Sequence, residues 1–452
     1  MAVSSEELGT KDIKKLLIKQ AIPSSVGILF MSVNILVDTI FVGQWVGSLA
    51  IAAVSVVLPI TFLISSLGMA IGVGGGSVLS RALGSGDKEK ADQVFANQIM
   101  MTFGLASIFV ILGLFFSNEM LLIFGANGNI LAPAKEFFFP VLLGVPFLAL
   151  CMMGNNVIRA EGKPSFAMIS MIIPAIVNII LDVVFINIMD LGIYGAALAT
   201  MISYTCCFLF VLWFFIYRTE LKLQWHHFKF NKKIVKEITS LSFVTFSRQG
   251  VVSILAIILN HTLYTYGGEH SVTVYGIISR MLMFALFPVL GITQAFLPIA
   301  GYNYGAENYH RVKESISVSI KYSALLATLI FVVILFFAKP IVAVFTTDQL
   351  VIDETPNALR WVFAASPIIA IQLIGAAYFQ AAGKAKKALL LTLTKQGFFL
   401  IPLVLILPKF FGIFGVWVAF PIADVLSTII TAIYLKKEMN ENLIENTDGK
   451  LL

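Results

Sequence analysis

Apolar runs of twenty or more residues recur along this chain from residue 16 to residue 436. A run of that length crosses the ~30 Å hydrocarbon core of a bilayer as one helix. Twelve runs are read: 16–43, 50–79, 92–117, 134–159, 164–190, 192–217, 236–265, 270–300, 312–337, 355–382, 385–408 and 411–436. They are continuous rather than alternating, which argues against a transmembrane β-barrel. Charged residues make up 12% of the chain, against about 25% in ordinary soluble domains. The expected class is an all-α integral membrane protein with 12 transmembrane helices. The first nineteen residues are polar and carry Lys11, Lys14, Lys15 and Lys19, so no cleavable signal peptide is expected. Cys151, Cys206 and Cys207 fall inside apolar runs, where neither disulfides nor thiolate metal sites are expected.

An even number of spans puts both termini on one side. Most of the 31 basic residues lie on the terminal side, and the opposite side holds Lys135, Lys339, Arg360 and Lys409. Basic loops stay in the cytoplasm, so both termini are expected there, in a cytoplasmic (inner or plasma) membrane. The net charge of +6 therefore reflects topology and does not point to nucleic acid. The longest loop, YRTELKLQWHHFKFNKK at 217–233, reads as an interfacial linker helix. His226 and His227 have no third ligand candidate nearby in sequence, so no metal site is expected there.

That linker separates two similar halves: 1–217 as an N-lobe, 218–235 as the linker and 236–452 as a C-lobe. FGANGN at 124 answers FTTDQL at 345, and RAEGKPSFAM at 159 answers QAAGKAKKAL at 380. Pro146 matches Pro367 and Gly162 matches Gly383, at an offset of 221 residues, while GIYGAA at 192 matches GIFGVW at 412. Six spans per half give both halves the same orientation. The expected architecture is two six-helix lobes related by a pseudo-two-fold axis along the membrane normal, the arrangement of alternating-access transporters.

Ionisable groups at membrane depth are costly, so they are functional candidates. VNILVDTIF contains Asn34 and Asp38; VNIILDVVF contains Asn178 and Asp182 at the same four-residue spacing. On a helix that spacing stacks both side chains on one face. At 1.5 Å per residue, Asp38, Asp182 and Thr200 fall at nearly one depth in the first lobe. Two carboxylates, two amides and a hydroxyl could hold Na⁺, a hard ion that takes oxygen ligands. They could equally hold a proton, because burial and a like-charged neighbour both favour the neutral acid. Spacing alone builds no obligatory sodium cage, which tips the reading towards H⁺. No other metal and no cofactor is expected.

The second lobe lacks the pair: Asp182 maps to Pro402 or Leu403, and Asp38 to Leu259 or Asn260. It carries Arg248, Arg280, Lys395, Gln396 and Asp424 instead. These read as a structural ion-pair network anchored by Asp424, with a gating or substrate contact as the other reading. Pro23 lies below Asp38 on the first span and is a hinge candidate, because a mid-span proline frees a carbonyl. The GVGGG run holding Gly72, Gly74, Gly75 and Gly76 lacks the GK[ST] of a phosphate loop. It reads as a site of close helix contact. Some of the 38 Phe and 15 Met are expected to line a cavity for flat cations and apolar compounds.

Together these segments resemble the multidrug and toxic compound extrusion (MATE) family, within the multidrug, oligosaccharidyl-lipid and polysaccharide exporter superfamily. NILVDTIFVGQWVG resembles the family's first span. SRALGSGDKEKAD and IAGYNYGAENYHRVK resemble its two matching loops. NIILDVVFINIMDLGIYGAALAT, TKQGFFLIPLVLILP and FGVWVAFPIADVLS resemble its later spans. The resemblance implies a drug–cation antiporter, with a first-lobe cation site at Asp38, Asn178, Asp182 and Thr200. Some members carry an acid in span seven, where this chain has Val251, and a tyrosine in span four, where it has Phe137 to Phe139.

Drug-like small molecules and the bilayer are the partners expected, and the chain is expected to act as a monomer. A lipid-linked oligosaccharide flippase is the first alternative; it calls for a cavity rich in Arg and Lys, and Arg248, Arg280 and Lys395 alone qualify. A non-transporting receptor or scaffold has no use for matched lobes and a buried acid pair. No constellation of catalytic residues points to an enzyme.

Overall fold

The computed structural model describes residues 5–346 and 348–443; Thr347 of FTTDQL and residues 444–452 lie outside it. All regular elements among the described residues are helical. Among the described residues, eleven helices are long and apolar enough to cross a membrane. The longest, Lys232–Gly305, is two helices joined at Gly268, whose φ of 63° and ψ of −165° are not helical. Twelve spans result, as the apolar runs predict. They are α1 (Ile13–Trp45), α2 (Ser48–Gly84), α3 (Lys88–Phe115), α4 (Gly128–Ala160), α5 (Pro164–Ile188) and α6 (Gly192–Tyr217). The second set is α7 (232–267), α8 (269–305), α9 (Tyr309–Phe345), α10 (Gln349–Ala381), α11 (Ala385–Phe411) and α12 (Ile413–Glu441).

The repeat is written into the backbone. Gly47 (φ 113°) precedes α2 as Gly268 (φ 63°) precedes α8. Gly162 and Gly383 have φ of 75° and 77°, and Gly192 and Gly412 have 54° and 58°. Gly86 and Glu307 both have positive φ immediately before the caps of α3 and α9. There Asp87 accepts from the Lys90 amide at 2.9 Å, and Asn308 accepts from the Arg311 amide at 3.3 Å. Such caps satisfy amides that a helix start leaves orphaned.

The chain packs as two units. Unit 1 comprises Met1–Glu7 and Val26–Thr245; unit 2 comprises Leu8–Ser25 and Phe246–Leu452. Thus α1 gives its first part to unit 2, and α7 gives its first part to unit 1. In unit 1, Arg81 on α2 pairs with Glu237 on α7 at 2.6 Å. A Cβ on Gly74 would lie 2.4 Å from the Ser242 hydroxyl, and one on Gly75 would lie 2.2 Å from the Gln98 side chain. The GVGGG run is therefore the place where α3 and α7 close on α2. In unit 2, Asn303 donates to the Leu8 carbonyl at 2.9 Å, and Gly9 lies against the Tyr302 ring.

Proline leaves its mark on α9. Pro340 has no amide to donate, and the helix is broken at Phe337 (φ −112°, ψ 16°). The Leu335 carbonyl takes a hydrogen bond from Arg360 Nε at 3.0 Å. A side chain of α10 thus satisfies a carbonyl beside the break.

The loop after α4 buries an ion pair in unit 1. Lys163 Nζ donates to Glu161 at 2.9 Å and to the Arg218 carbonyl at 2.7 Å, and the Thr219 hydroxyl also donates to Glu161. Burial pushes the Glu161 carboxyl above its ordinary value, against the pull of Lys163 and Thr219. In unit 2 the repeat-equivalent lysine, Lys384, pairs with Glu438 of α12, which also meets Lys387 at 2.9 Å and Tyr378 Oη at 3.4 Å.

Candidate functional site

Three helices of unit 1 bring the site together. α1 carries Asn34 and Asp38, α5 carries Asn178 and Asp182, and α6 carries Thr200. Asp182 is fully buried and Asn178 nearly so, while Asn34, Asp38 and Thr200 are half-buried. The Asp38 and Asp182 carboxyl groups lie within hydrogen-bond reach of each other.

What these groups lack is a donor. Among the described residues, neither oxygen of Asp182 has a protein hydrogen-bond partner, nor do Oδ1 of Asp38 and Oδ1 of Asn34. Ionised carboxylates are acceptors only, and a buried one left unpaired is strongly unfavourable. The pair therefore calls for a proton held between the acids or a small cation held among the oxygens. Asn178 has an unpartnered Nδ2; turning its amide over offers Oδ1 in that place. Thr200 donates to the Ala196 carbonyl at 3.0 Å, which leaves its oxygen lone pairs available to a cation.

Two features near the acids escape a reading of spacing. Tyr204, one turn beyond Thr200 on α6, lies within electrostatic reach of Asp38. The resemblance gives some members a tyrosine in span four, where this chain has Phe137 to Phe139; Tyr204 instead stands on α6, four residues from Thr200 and on the same helix face. The α-helical part of α5 ends at Asp182 and continues as a π-helical stretch, Val183–Ile188. Such wider turns often mark functional sites.

The second unit is arranged differently. Lys395 Nζ meets Asp424 Oδ1 at 2.6 Å, so one pair of the expected network forms. Lys395 and Gln396 sit on a second π-helical stretch, Thr394–Leu400. Arg248 and Arg280 do not join Asp424 and make no ion pair among the described residues. The reason for Arg280 is its direction: it is exposed on α8, while Asp424 is buried. Pro23 lies within α1, two residues before the division between its two packing environments at Ser25 and Val26.

The linker also departs from expectation. In place of a helix it forms a single 3₁₀ turn, Trp225–His227. Glu89 of α3, distant in sequence, completes a cluster with His226 and His227. The Gln224 amide donates to His227 Nδ1 at 3.2 Å, so the neutral ring carries its proton on Nε2, which faces Glu89 at 3.3 Å. That tautomer makes a hydrogen bond and leaves Nε2 without a lone pair for a metal.

The MatE family model matches residues 23–184 and 247–406, one stretch in each half of the chain. The chain is a member of the MatE family. It is 28% identical over 425 residues to the multidrug export protein MepA of Staphylococcus aureus (strain N315), covering 92% of this chain and 93% of that protein. It is 28% identical to MepA of Staphylococcus haemolyticus (strain JCSC1435) over 419 residues, 92% of each. Its fold is similar to an outward-facing multidrug resistance MATE transporter of the MOP superfamily, at a TM-score of 0.91 and 26% identity over 98% of this chain and all of that one. A MATE structure in a bent conformation matches at a TM-score of 0.92 and 25% identity, over 97% of this chain and 98% of that one. The MatE match includes Asp38 and Asp182 in its first stretch and Arg248, Arg280 and Lys395 in its second; Thr200 and Asp424 lie outside it.

Proposed function

We propose that this MatE protein exports cationic and amphipathic organic compounds across the cytoplasmic membrane in exchange for an inward-moving cation, with both termini on the cytoplasmic side. The observation that carries the reading is the Asp38–Asp182 pair, two carboxyl groups in hydrogen-bond reach with no protein donor for either Asp182 oxygen. A protonated or cation-filled pair is neutral enough to stay closed off from water; an emptied pair is not. Occupancy by the cation is thereby linked to which side of the membrane the protein opens towards. Protons are the favoured coupling ion, because two facing acids can share one proton without further ligands. Na⁺ remains the alternative, with Asn34, Asn178 and Thr200 adding neutral oxygens. The resemblance to MepA, a multidrug export protein, supports drug-like substrates.

The test is efflux of a fluorescent lipophilic cation from cells making the wild type, Asp38→Asn or Asp182→Asn at matched expression. Loss of efflux in both variants is expected. Collapsing the proton gradient should stop wild-type efflux, and withdrawing sodium should not. Equal efflux from all three proteins would remove the coupling role of the pair.

A further inference from the structure

The linker between the two repeats holds aromatic rings out of the protein. Trp225 is 92% exposed, more than any other large apolar side chain among the described residues. Phe230 is 65% exposed and Phe228 is 37% exposed, and the Trp225 and Phe228 rings lie 6.3 Å apart. Slack in the chain does not explain this exposure, because the linker is clamped to the polar start of α3. Asp92 accepts from the Lys222 amide at 2.8 Å. Asn97 donates to the Lys229 carbonyl at 3.3 Å and accepts from the Asn231 amide at 3.3 Å. Between these points the buried His227 takes the Gln224 amide and meets Glu89, which fixes the 3₁₀ turn with Trp225 on its outer side.

The charge around these rings has one sign. Lys229, Lys232 and Lys233 are exposed and make no ion pair among the described residues. The acids on either side are occupied: Glu220 takes the Ser5 amide and hydroxyl, and Glu237 pairs with Arg81. The linker leaves α6 at Tyr217 and enters α7 at Lys232. Both helices are long and apolar enough to cross a membrane, so the short clamped segment between them lies along the bilayer surface. At that surface Trp and Phe rings settle among the headgroups, and lysines are drawn to anionic lipid. In water the same rings would form an apolar patch with nothing to cover it.

We propose that the linker is a docking surface for anionic phospholipid, with Trp225, Phe228 and Phe230 seated among the headgroups and Lys229, Lys232 and Lys233 meeting the phosphates. Charge selects the lipid: each lysine near an anionic surface strengthens the attraction about fivefold, and a zwitterionic headgroup offers no net charge to answer it. The clamps on α3 hold the rings and lysines in place beforehand, so lipid binds a surface that is already formed. The proposal does not depend on the export reading.

The test uses the purified full-length protein in nanodiscs of equal parts phosphatidylglycerol and phosphatidylcholine, with bromine high on the acyl chains of one lipid or of the other. The fluorescence of Trp225 is the difference between the wild type and Trp225→Phe, since the chain has five tryptophans. Bromine on phosphatidylglycerol should quench Trp225 about fivefold more strongly than bromine on phosphatidylcholine. The preference should vanish in about 1 M salt, where the screening length falls to about 3 Å, and in the triple variant Lys229→Ser, Lys232→Ser, Lys233→Ser. The double variant Lys436→Ser, Lys437→Ser, at exposed positions near the end of α12, should keep it. Equal quenching by the two lipids overturns the proposal, as does a preference lost equally in both sets of lysine variants. Quenching by aqueous iodide with none by either lipid also overturns it, and gives the rings a soluble partner instead.

Discussion

Asp182 on α5 and Asp38 on α1 face each other within hydrogen-bond reach, and no protein donor meets either oxygen of Asp182. An uncompensated buried acid costs stability and is held in place by the packing around it. Asp182→Asn should therefore leave the unfolding temperature of the purified protein unchanged or raised, while efflux falls to background. A large loss of thermal stability would make Asp182 a structural residue instead.

Tyr204 lies within electrostatic reach of Asp38 and shares a face of α6 with Thr200. Tyr204→Phe removes a hydroxyl and keeps the ring. If that hydroxyl helps the acid exchange its cation, efflux should slow about fivefold, the worth of one neutral hydrogen bond of about 1 kcal/mol. Unaltered efflux kinetics at equal protein level would exclude Tyr204 from the site.

Glu438 is fully buried and holds Lys384, Lys387 and Tyr378 together. Glu438→Gln leaves two lysines beside a neutral amide and should cost about 3 kcal/mol. Adding Lys384→Met to that variant should recover part of the loss, since the pair is then removed as a unit. Chemical denaturation in detergent measures both steps, and additive losses would show that the two side chains are not coupled.

Burial raises the Glu161 carboxyl above its ordinary value of 4.5. The folded protein then binds this proton more tightly than the unfolded chain does. The stability it contributes is present in full below the ordinary value and is lost as pH rises through the raised one. The wild type should lose unfolding temperature relative to Glu161→Gln as pH is raised from acidic to neutral. A difference that stays constant with pH would mean that Glu161 titrates alike in both states.

The helical class, the span count, the repeat and the acid pair were all legible in one dimension. Apolar runs of bilayer length leave the backbone no option but helices, since lipid offers no partner for a bare amide or carbonyl. Two Asn-x-x-x-Asp patterns at membrane depth stand out because a buried acid is costly and therefore rare in a span. Partner choice was not legible. Glu89 beside His227, Glu438 beside Lys384, Tyr204 near Asp38 and the divided packing of α1 depend on which faces of distant helices meet. The expected network around Asp424 shows the limit: depth could be read from position along a span, but direction could not. Lys395 turns inward to Asp424 and Arg280 turns out, because rotation about a helix axis is decided by packing against neighbours that are remote in the chain.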